Sequence, residues 1–162
     1  MELDQCFRQI RLAVFDFDGV FTDNRVFVLE DGREAVACNR SDGLGLELCK
    51  KAGFDMLVLS KERNPVVGAR CRKLGLECIQ GCEDKGTRLR QEVAGRGLVM
   101  AQVAYLGNDI NDLPCLEQVG LPACVADAYP EVIERCVYIT RRAGGHGAVR
   151  EFCDRWRAAN SA

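Results

Sequence analysis

The chain has 162 residues, 48 % of them hydrophobic and 28 % charged, with a formal net charge of −2. That balance suits a single globular domain over residues 1–162 with a sizeable core. It leaves no basic footprint for nucleic acid, and no apolar stretch approaches the roughly 20 residues that a membrane span needs. The first residues lack the basic-then-apolar layout of a secretory signal, so the expectation is a cytoplasmic protein with no nucleic-acid or membrane partner. Ten cysteines are scattered singly with one histidine, His146, to help them. They read as small core hydrophobes, and Cys78 with Cys82 is too sparse for a zinc site.

Strand-like and helix-like segments alternate after Arg11. Leu12 to Phe15 is an apolar run closed by a turn signal, which predicts a buried strand. Arg25 to Leu29 and Arg33 to Ala37 flank Glu30-Asp31-Gly32 and predict a hairpin, an insert over about 24–38. Gly43 to Ala52 predicts a helix, and Asp55 to Leu59 a second parallel strand. Asn64 and Pro65 open a helix that runs to Leu74, where Gly75 ends it. Leu76 to Gln80 is a short strand and Glu83 to Gly95 a helix. Val103 to Leu106 is again a strand, followed by a loop and a helix around Leu113 to Val119. Leu121 to Val125, the helix Pro130 to Arg135, the strand Val137 to Thr140 and a helix from Gly147 to Ala159 complete the pattern. Gly144-Gly-His-Gly147 reads as a flexible loop entering that last helix. The repeated β-α units predict a Rossmann-like, doubly wound parallel sheet covered on both faces.

The chemistry gathers at strand ends. The first strand runs into Asp16-Phe-Asp-Gly19, which delivers Asp16 and Asp18 to the edge where open α/β sheets bind ligands. Two carboxylates so close repel each other unless a proton or a cation holds them, and Mg²⁺ prefers such oxygen ligands. Ser60 follows the second parallel strand. Lys85 falls in the first turn of a helix, where acidic residues are favoured. The loop Gly107-Asn-Asp-Ile-Asn-Asp112 carries Asn108, Asp109 and Asp112. Singly, these residues read as a turn, a surface charge and a helix cap. Converging on one crevice, they provide what phosphoryl transfer to a carboxylate needs: a nucleophile, a second carboxyl for proton transfer, a hydroxyl, an ammonium and metal-binding oxygens.

The order Asp16-x-Asp18-Gly19, Ser60, Lys85, Gly107-x-Asp109-x-x-Asp112 resembles the four motifs of the haloacid dehalogenase-like (HAD) phosphatases. Asp18-Gly-Val-Phe-Thr-Asp23, Ser41-Asp-Gly-Leu-Gly45, Ser60-Lys-Glu-Arg-Asn-Pro65 and Gly144-Gly-His-Gly-Ala-Val-Arg-Glu151 narrow the resemblance. They are similar to the branch with no large cap domain that contains 3-deoxy-manno-octulosonate 8-phosphate phosphatase. Nonulosonate 9-phosphate phosphatases and the C-terminal domain of some sialic acid cytidylyltransferases belong to the same branch. The resemblance implies an α/β HAD fold with a small hairpin flap, Asp16 as nucleophile, Asp18 as general acid and base, and Ser60 with Lys85 as phosphate clamp. It implies Mg²⁺ held among Asp16, the Asp18 carbonyl and the loop of Asn108, Asp109 and Asp112, with Asn108 standing where many relatives have aspartate. It further implies an acidic sugar phosphate as substrate and a homotetramer, for whose interface the hairpin Arg25 to Ala37, with Val26, Phe27, Val28 and Leu29 in a row, is a candidate element. Thr22, Arg40, Asp42, Glu62, Arg63 and Arg70 are the substrate-binding candidates, and the Lys61-Glu62 pair tilts the reading towards a nine-carbon sugar acid. Two other classes compete: a catalytically weak assembly domain, and a receiver-type phosphoacceptor. In a receiver the acidic pair precedes a mid-sheet phosphoacceptor, which is not the order found in this chain.

Overall fold

Strand β1 (Leu12–Phe15) is buried at all four positions and is paired in parallel on both sides. An uninterrupted apolar run has that fate in a sheet whose two faces are both covered. The computed structural model describes residues 2–161, and β1 lies near the middle of its six-stranded parallel sheet. The other strands are β4 (Asp55–Leu59), β5 (Glu77–Ile79), β6 (Val103–Gly107), β7 (Leu121–Cys124) and β8 (Tyr138–Ile139), in the order β5-β4-β1-β6-β7-β8. The register sets Phe15 level with Val58 and Leu106. The residues that follow these strands therefore emerge at one edge. Chain order reverses beside β1, between β4 and β6, which is where such sheets bind ligands.

The hairpin is shorter than predicted: β2 (Phe27–Val28) pairs with β3 (Glu34–Ala35). Gly32 takes the left-handed conformation its turn requires (φ 83°). A single bridge between Thr22 and Cys38 closes the hairpin's base.

Helices α2 (Arg40–Lys51), α3 (Pro65–Leu74), α4 (Lys85–Gly95) and α7 (Ala148–Asn160) cover the sheet, with the short α5 (Leu113–Leu116) and α6 (Pro130–Ile133) between later strands. Capping explains where the long ones start. Asn39 accepts from the Ser41 N–H, so α2 begins at Arg40 rather than at Gly43. Asp84 accepts from the Thr87 N–H, so α4 begins at Lys85 rather than at Glu83. Asn64, Pro65 and Gly75 (φ 61°) bound α3 as predicted. Helix α2 packs closely on α7 through Gly45, where an added Cβ would lie 3.2 Å from both the Arg150 Cα and the Cys153 Cβ.

Helix α1 (Leu3–Gln9) is absent from the sequence expectation. It is two turns long with Phe7 as its buried residue, too short for a 3.6-residue pattern to declare itself. Tertiary packing holds it: the Phe7 ring lies 5.2 Å from Tyr138 and 5.5 Å from Phe152, edge-on or tilted. The predicted flexible loop is also corrected. Gly144 and Gly147 are buried, and Gly145 donates to the Val20 carbonyl at 3.1 Å. Among the described residues, no helix is long and apolar enough to cross a membrane.

Candidate active site

Asp16 directly follows β1, and its N–H is tied to the Leu106 carbonyl at 3.0 Å. Ser60 directly follows β4 and is held between Ile79 and Cys82 by its own main chain. Lys85, at the first position of α4, turns inward rather than to solvent. Its Nζ donates to Asp16 Oδ1 at 2.7 Å and to Asp112 Oδ1 at 2.9 Å, and all three groups are buried. A lysine at a helix N-terminus is unfavourable on local grounds alone. Two buried carboxylates across the sheet edge supply the reason it stands there.

Asp112 holds the acidic loop together. Its Oδ1 accepts from Tyr105 Oη at 2.7 Å, and its Oδ2 accepts from the Asn108 N–H at 2.9 Å and the Asp109 N–H at 3.3 Å. Gly107 makes room for this carboxylate, since a Cβ there would lie 2.6 Å from Asp112 Oδ2. Asp109 caps the turn that follows, accepting from the Ile110 N–H at 2.7 Å.

One terminal atom of the Asn108 amide lies 3.1 Å from Asp16 Oδ2 and 3.0 Å from the Asp18 carbonyl oxygen. A nitrogen at that point donates to both; an oxygen there completes a set of three converging oxygens. In octahedral coordination at about 2.1 Å, neighbouring oxygens are about 3.0 Å apart, so the spacing fits Mg²⁺. Among the described residues no three His, Cys, Asp or Glu side chains group as a metal site. The oxygens that could hold a cation are instead one carboxylate, one main-chain carbonyl and one amide. Gly19 (φ 82°) lets the backbone pass Asn108, because any Cβ at Gly19 would run into that amide.

Charge is concentrated here. Burial, and then the neighbouring Asp112 carboxylate, push Asp16 above the usual carboxylate range against the pull of Lys85. Burial works against the Lys85 ammonium, but Asp16 and Asp112 outweigh it and hold its proton above the ordinary lysine range. Asp18, half-buried, is raised by burial first and by Glu62 next.

Asp16, Asp18, Ser60, Lys61, Glu62, Arg63, Glu83 and Asn111 line one hollow of about 420 Å³. Ser60 Oγ accepts from the Glu62 N–H at 3.1 Å. Glu62 Oε1 turns back to the Arg63 and Asn64 N–H groups at 2.7 and 2.8 Å. Four candidates do not reach this hollow. Thr22 is sealed from solvent, its Oγ1 accepting from the Gly19 and Asn24 N–H groups at 3.1 Å each. Asp42 is equally sealed and accepts from the Arg150 N–H at 3.0 Å, joining α2 to α7. Neither side chain opens onto this hollow, and both bond within the scaffold. Arg40 and Arg70 open onto a separate hollow with Val36, Cys38 and Lys73. A larger hollow of about 630 Å³ lies beside Ile10, Phe54 and Trp156. Its Lys51 and Arg157 sit in the last turns of α2 and α7, where cations answer the helix dipoles.

Sequence reasoning missed Tyr105, Asn111 and Glu83. Tyr105 lies inside an apolar strand run, where only its neighbours reveal that its hydroxyl has two polar partners, Lys85 and Asp112. Glu83 pairs with Lys61 at 3.2 Å and Arg63 at 3.3 Å across the crevice rim.

A parallel sheet that presents a lysine-bonded aspartate and an acidic loop at its switch point belongs to the α/β class, with a buried carboxylate at the edge where such sheets bind ligands. Comparison with known proteins specifies the family. Residues 72–152 match the haloacid dehalogenase-like hydrolase family. The 3-deoxy-D-manno-octulosonate 8-phosphate phosphatase KdsC of Escherichia coli K12 is 37 % identical over 146 residues, 90 % of this chain and 78 % of that protein. The crystal structure of the 3-deoxy-D-manno-octulosonate 8-phosphate phosphatase from Yersinia pestis superposes with a TM-score of 0.95 at 35 % identity, covering 98 % of this chain and 86 % of that one. The Moraxella catarrhalis phosphatase of that name, solved with magnesium, phosphate and KDO, gives a TM-score of 0.92 at 30 % identity over 98 % and 93 % of the two chains. This chain belongs to the haloacid dehalogenase-like hydrolase family and has its α/β fold without a large cap. It is a phosphoric monoester hydrolase.

Proposed function

We propose that the chain is a Mg²⁺-dependent phosphatase acting on the phosphate monoester of an acidic 2-keto-3-deoxy sugar through an aspartyl-phosphate on Asp16. The observation that carries the reading is the setting of Asp16: Lys85 on one carboxylate oxygen and the Asn108 amide at the other, the same amide atom also meeting the Asp18 carbonyl. In this reading a carboxylate oxygen of Asp16 attacks phosphorus as the bond to the sugar oxygen breaks. Asp18 gives its proton to the departing oxygen, which suits a carboxyl raised by burial. It then takes a proton from the water that attacks the aspartyl-phosphate, releasing inorganic phosphate and restoring Asp16. Lys85 offsets charge on the phosphoryl oxygens, and Ser60 donates a hydrogen bond to one of them. Mg²⁺ bound by Asp16, the Asp18 carbonyl and Asn108 would add Lewis-acid charge stabilisation at the same oxygens. Asp112 is assigned to shaping the loop rather than to direct ligation, because both its oxygens already serve main-chain N–H groups, Tyr105 or Lys85, whereas Asp109 commits only Oδ1, to the Ile110 N–H, and keeps Oδ2 for a cation.

Substrate recognition within one chain falls to Glu62 and Arg63 at the rim; Arg is suited to capture of a sugar carboxylate. Arg40 and Arg70 meet substrate only if another copy presents it. The hairpin supports such an assembly, which we take to be a homotetramer: Val26, Phe27, Val28 and Leu29 are 47, 66, 68 and 40 % exposed. A contiguous apolar strip of that kind marks an interaction surface. The similarity to octulosonate phosphatases supports an eight-carbon substrate, and Glu62, able to accept sugar hydroxyls, supports a nine-carbon one. Assay of both phosphorylated 2-keto sugar acids with Mg²⁺ decides between them. Phosphate release that is abolished by Asp16→Asn and by chelation is expected with one of them. Background rates on both would leave the assembly-domain reading in place.

A further inference from the structure

Gly144 packs directly on the back of the Asp18-Gly19 turn. An added Cβ at Gly144 would run into the Gly19 carbonyl oxygen and would lie 2.9 Å from the Thr22 carbonyl oxygen. The next residue, Gly145 (φ 74°), donates to the Val20 carbonyl at 3.1 Å, and a Cβ there would lie 2.5 Å from the Asp23 nitrogen. Gly19 is thus clamped between the Asn108 amide on one side and the glycine strap on the other. The strap is itself tied down. Its Gly144 N–H donates to Asp127 Oδ1 at 2.9 Å, and the Arg142 carbonyl accepts from the Ala126 N–H at 3.3 Å and from Thr140 Oγ1 at 2.6 Å. Asp127 lies in the loop after β7, outside the reacting hollow.

We propose that Asp127 and Gly144 are positioning residues for the cation site: they press Gly19 towards Asn108 and so set the spacing between the Asp18 carbonyl and the Asn108 amide. This rests on the cation site proposed above. Neither residue touches the oxygens that would bind the ion. Their effect travels through Gly19: Gly144 meets the Gly19 carbonyl, and the Gly19 nitrogen closes the neighbouring peptide, which carries the Asp18 carbonyl. Glycine is required at both strap positions by close approach, and at Gly145 by its left-handed backbone as well. Outer partners of metal ligands commonly set affinity in this way.

The test is Mg²⁺ binding by calorimetry on the full chain, alongside the Mg²⁺ dependence of phosphate release. Asp127→Ala removes the strap's acceptor and is expected to weaken Mg²⁺ binding on the order of tenfold. The rate at saturating Mg²⁺ should return to the wild-type value, because the reacting groups are intact. Asp127→Asn keeps an acceptor oxygen and should restore the affinity. Gly144→Ala should weaken binding further; if it does not fold, the Asp127 pair decides. Wild-type Mg²⁺ affinity in Asp127→Ala overturns the inference. A wild-type protein that neither binds Mg²⁺ nor releases phosphate would instead overturn the cation site itself, so the two failures are distinguishable.

Discussion

Asp112 and Lys85 meet at 2.9 Å in the interior, and the same Asp112 carboxylate grips the Asn108 N–H with its other oxygen. One side chain thereby couples the ammonium at the start of α4 to the loop that follows β6. Removing it leaves a buried cation short of one partner and a loop without its anchor. Asp112→Ala is expected to cost about 3–5 kcal/mol of folding stability, the usual penalty for breaking a buried pair. Chemical denaturation measures this, and a cost below about 1 kcal/mol would mean that Lys85 is satisfied without Asp112.

Asn108→Asp places a negative charge among the oxygens of Asp16 and Asp18. With no cation bound, carboxylates repel, so the metal-free variant should melt below the wild type. With Mg²⁺ the added charge becomes an attraction, and affinity should rise on the order of tenfold, about 1.4 kcal/mol. Thermal melting with and without Mg²⁺ reads both signs. Equal shifts in the two proteins would show that Asn108 does not face the ion.

Asp42 predicts a pH dependence of stability. Burial pushes its carboxyl from 3.8 up to about 6, against the Arg150 N–H bond, and its Oδ2 is buried with no partner. The folded state therefore binds more protons than the unfolded state between those values. The sign follows: Asp42 contributes stability below about pH 4 that is lost as pH rises through about 6. The difference corresponds to roughly 3 kcal/mol as an upper limit at 1.36 kcal/mol per unit. Asp42→Asn should flatten this component, so the gap between wild type and variant shifts in the variant's favour from pH 4 to pH 7. Denaturation midpoints across that range test it, and a constant gap would refute it.

The hairpin prediction concerns assembly. Phe27→Asp with Val28→Asp introduces charges at positions 66 and 68 % exposed, so folding of the single chain should be unaffected. Sedimentation should show the wild type as an oligomer and the double variant as a smaller species. Identical sedimentation of the two would remove the hairpin from any interface.

The strands and their chemistry were legible in the residues because both signals are local. The apolar run at Leu12 to Phe15 needs no partner to declare itself, and Asp16, Asp18, Ser60 and Lys85 each follow or begin an element whose period is plain. The start of α2 was misplaced by three residues because Gly43 and Gly45 hide the helical pattern that Asn39 caps. The glycine run at Gly144 reads as mobile in sequence for a related reason: glycine signals freedom or close contact equally well, and here the Gly19 carbonyl makes it contact.

The repeated β-α units along the chain by themselves determined the parallel sheet and the edge at which Asp16, Ser60 and the acidic loop emerge, since burial of a two-faced parallel sheet dictates that arrangement. Tertiary structure decided what each polar group faces. Thr22 and Asp42 are sealed inside, Arg40 and Arg70 look onto another hollow, and Tyr105 and Asp112 share the work of holding Lys85. The reason is physical: a side chain's partners are set by three-dimensional packing among residues distant in sequence, and pattern and spacing carry no record of those distances.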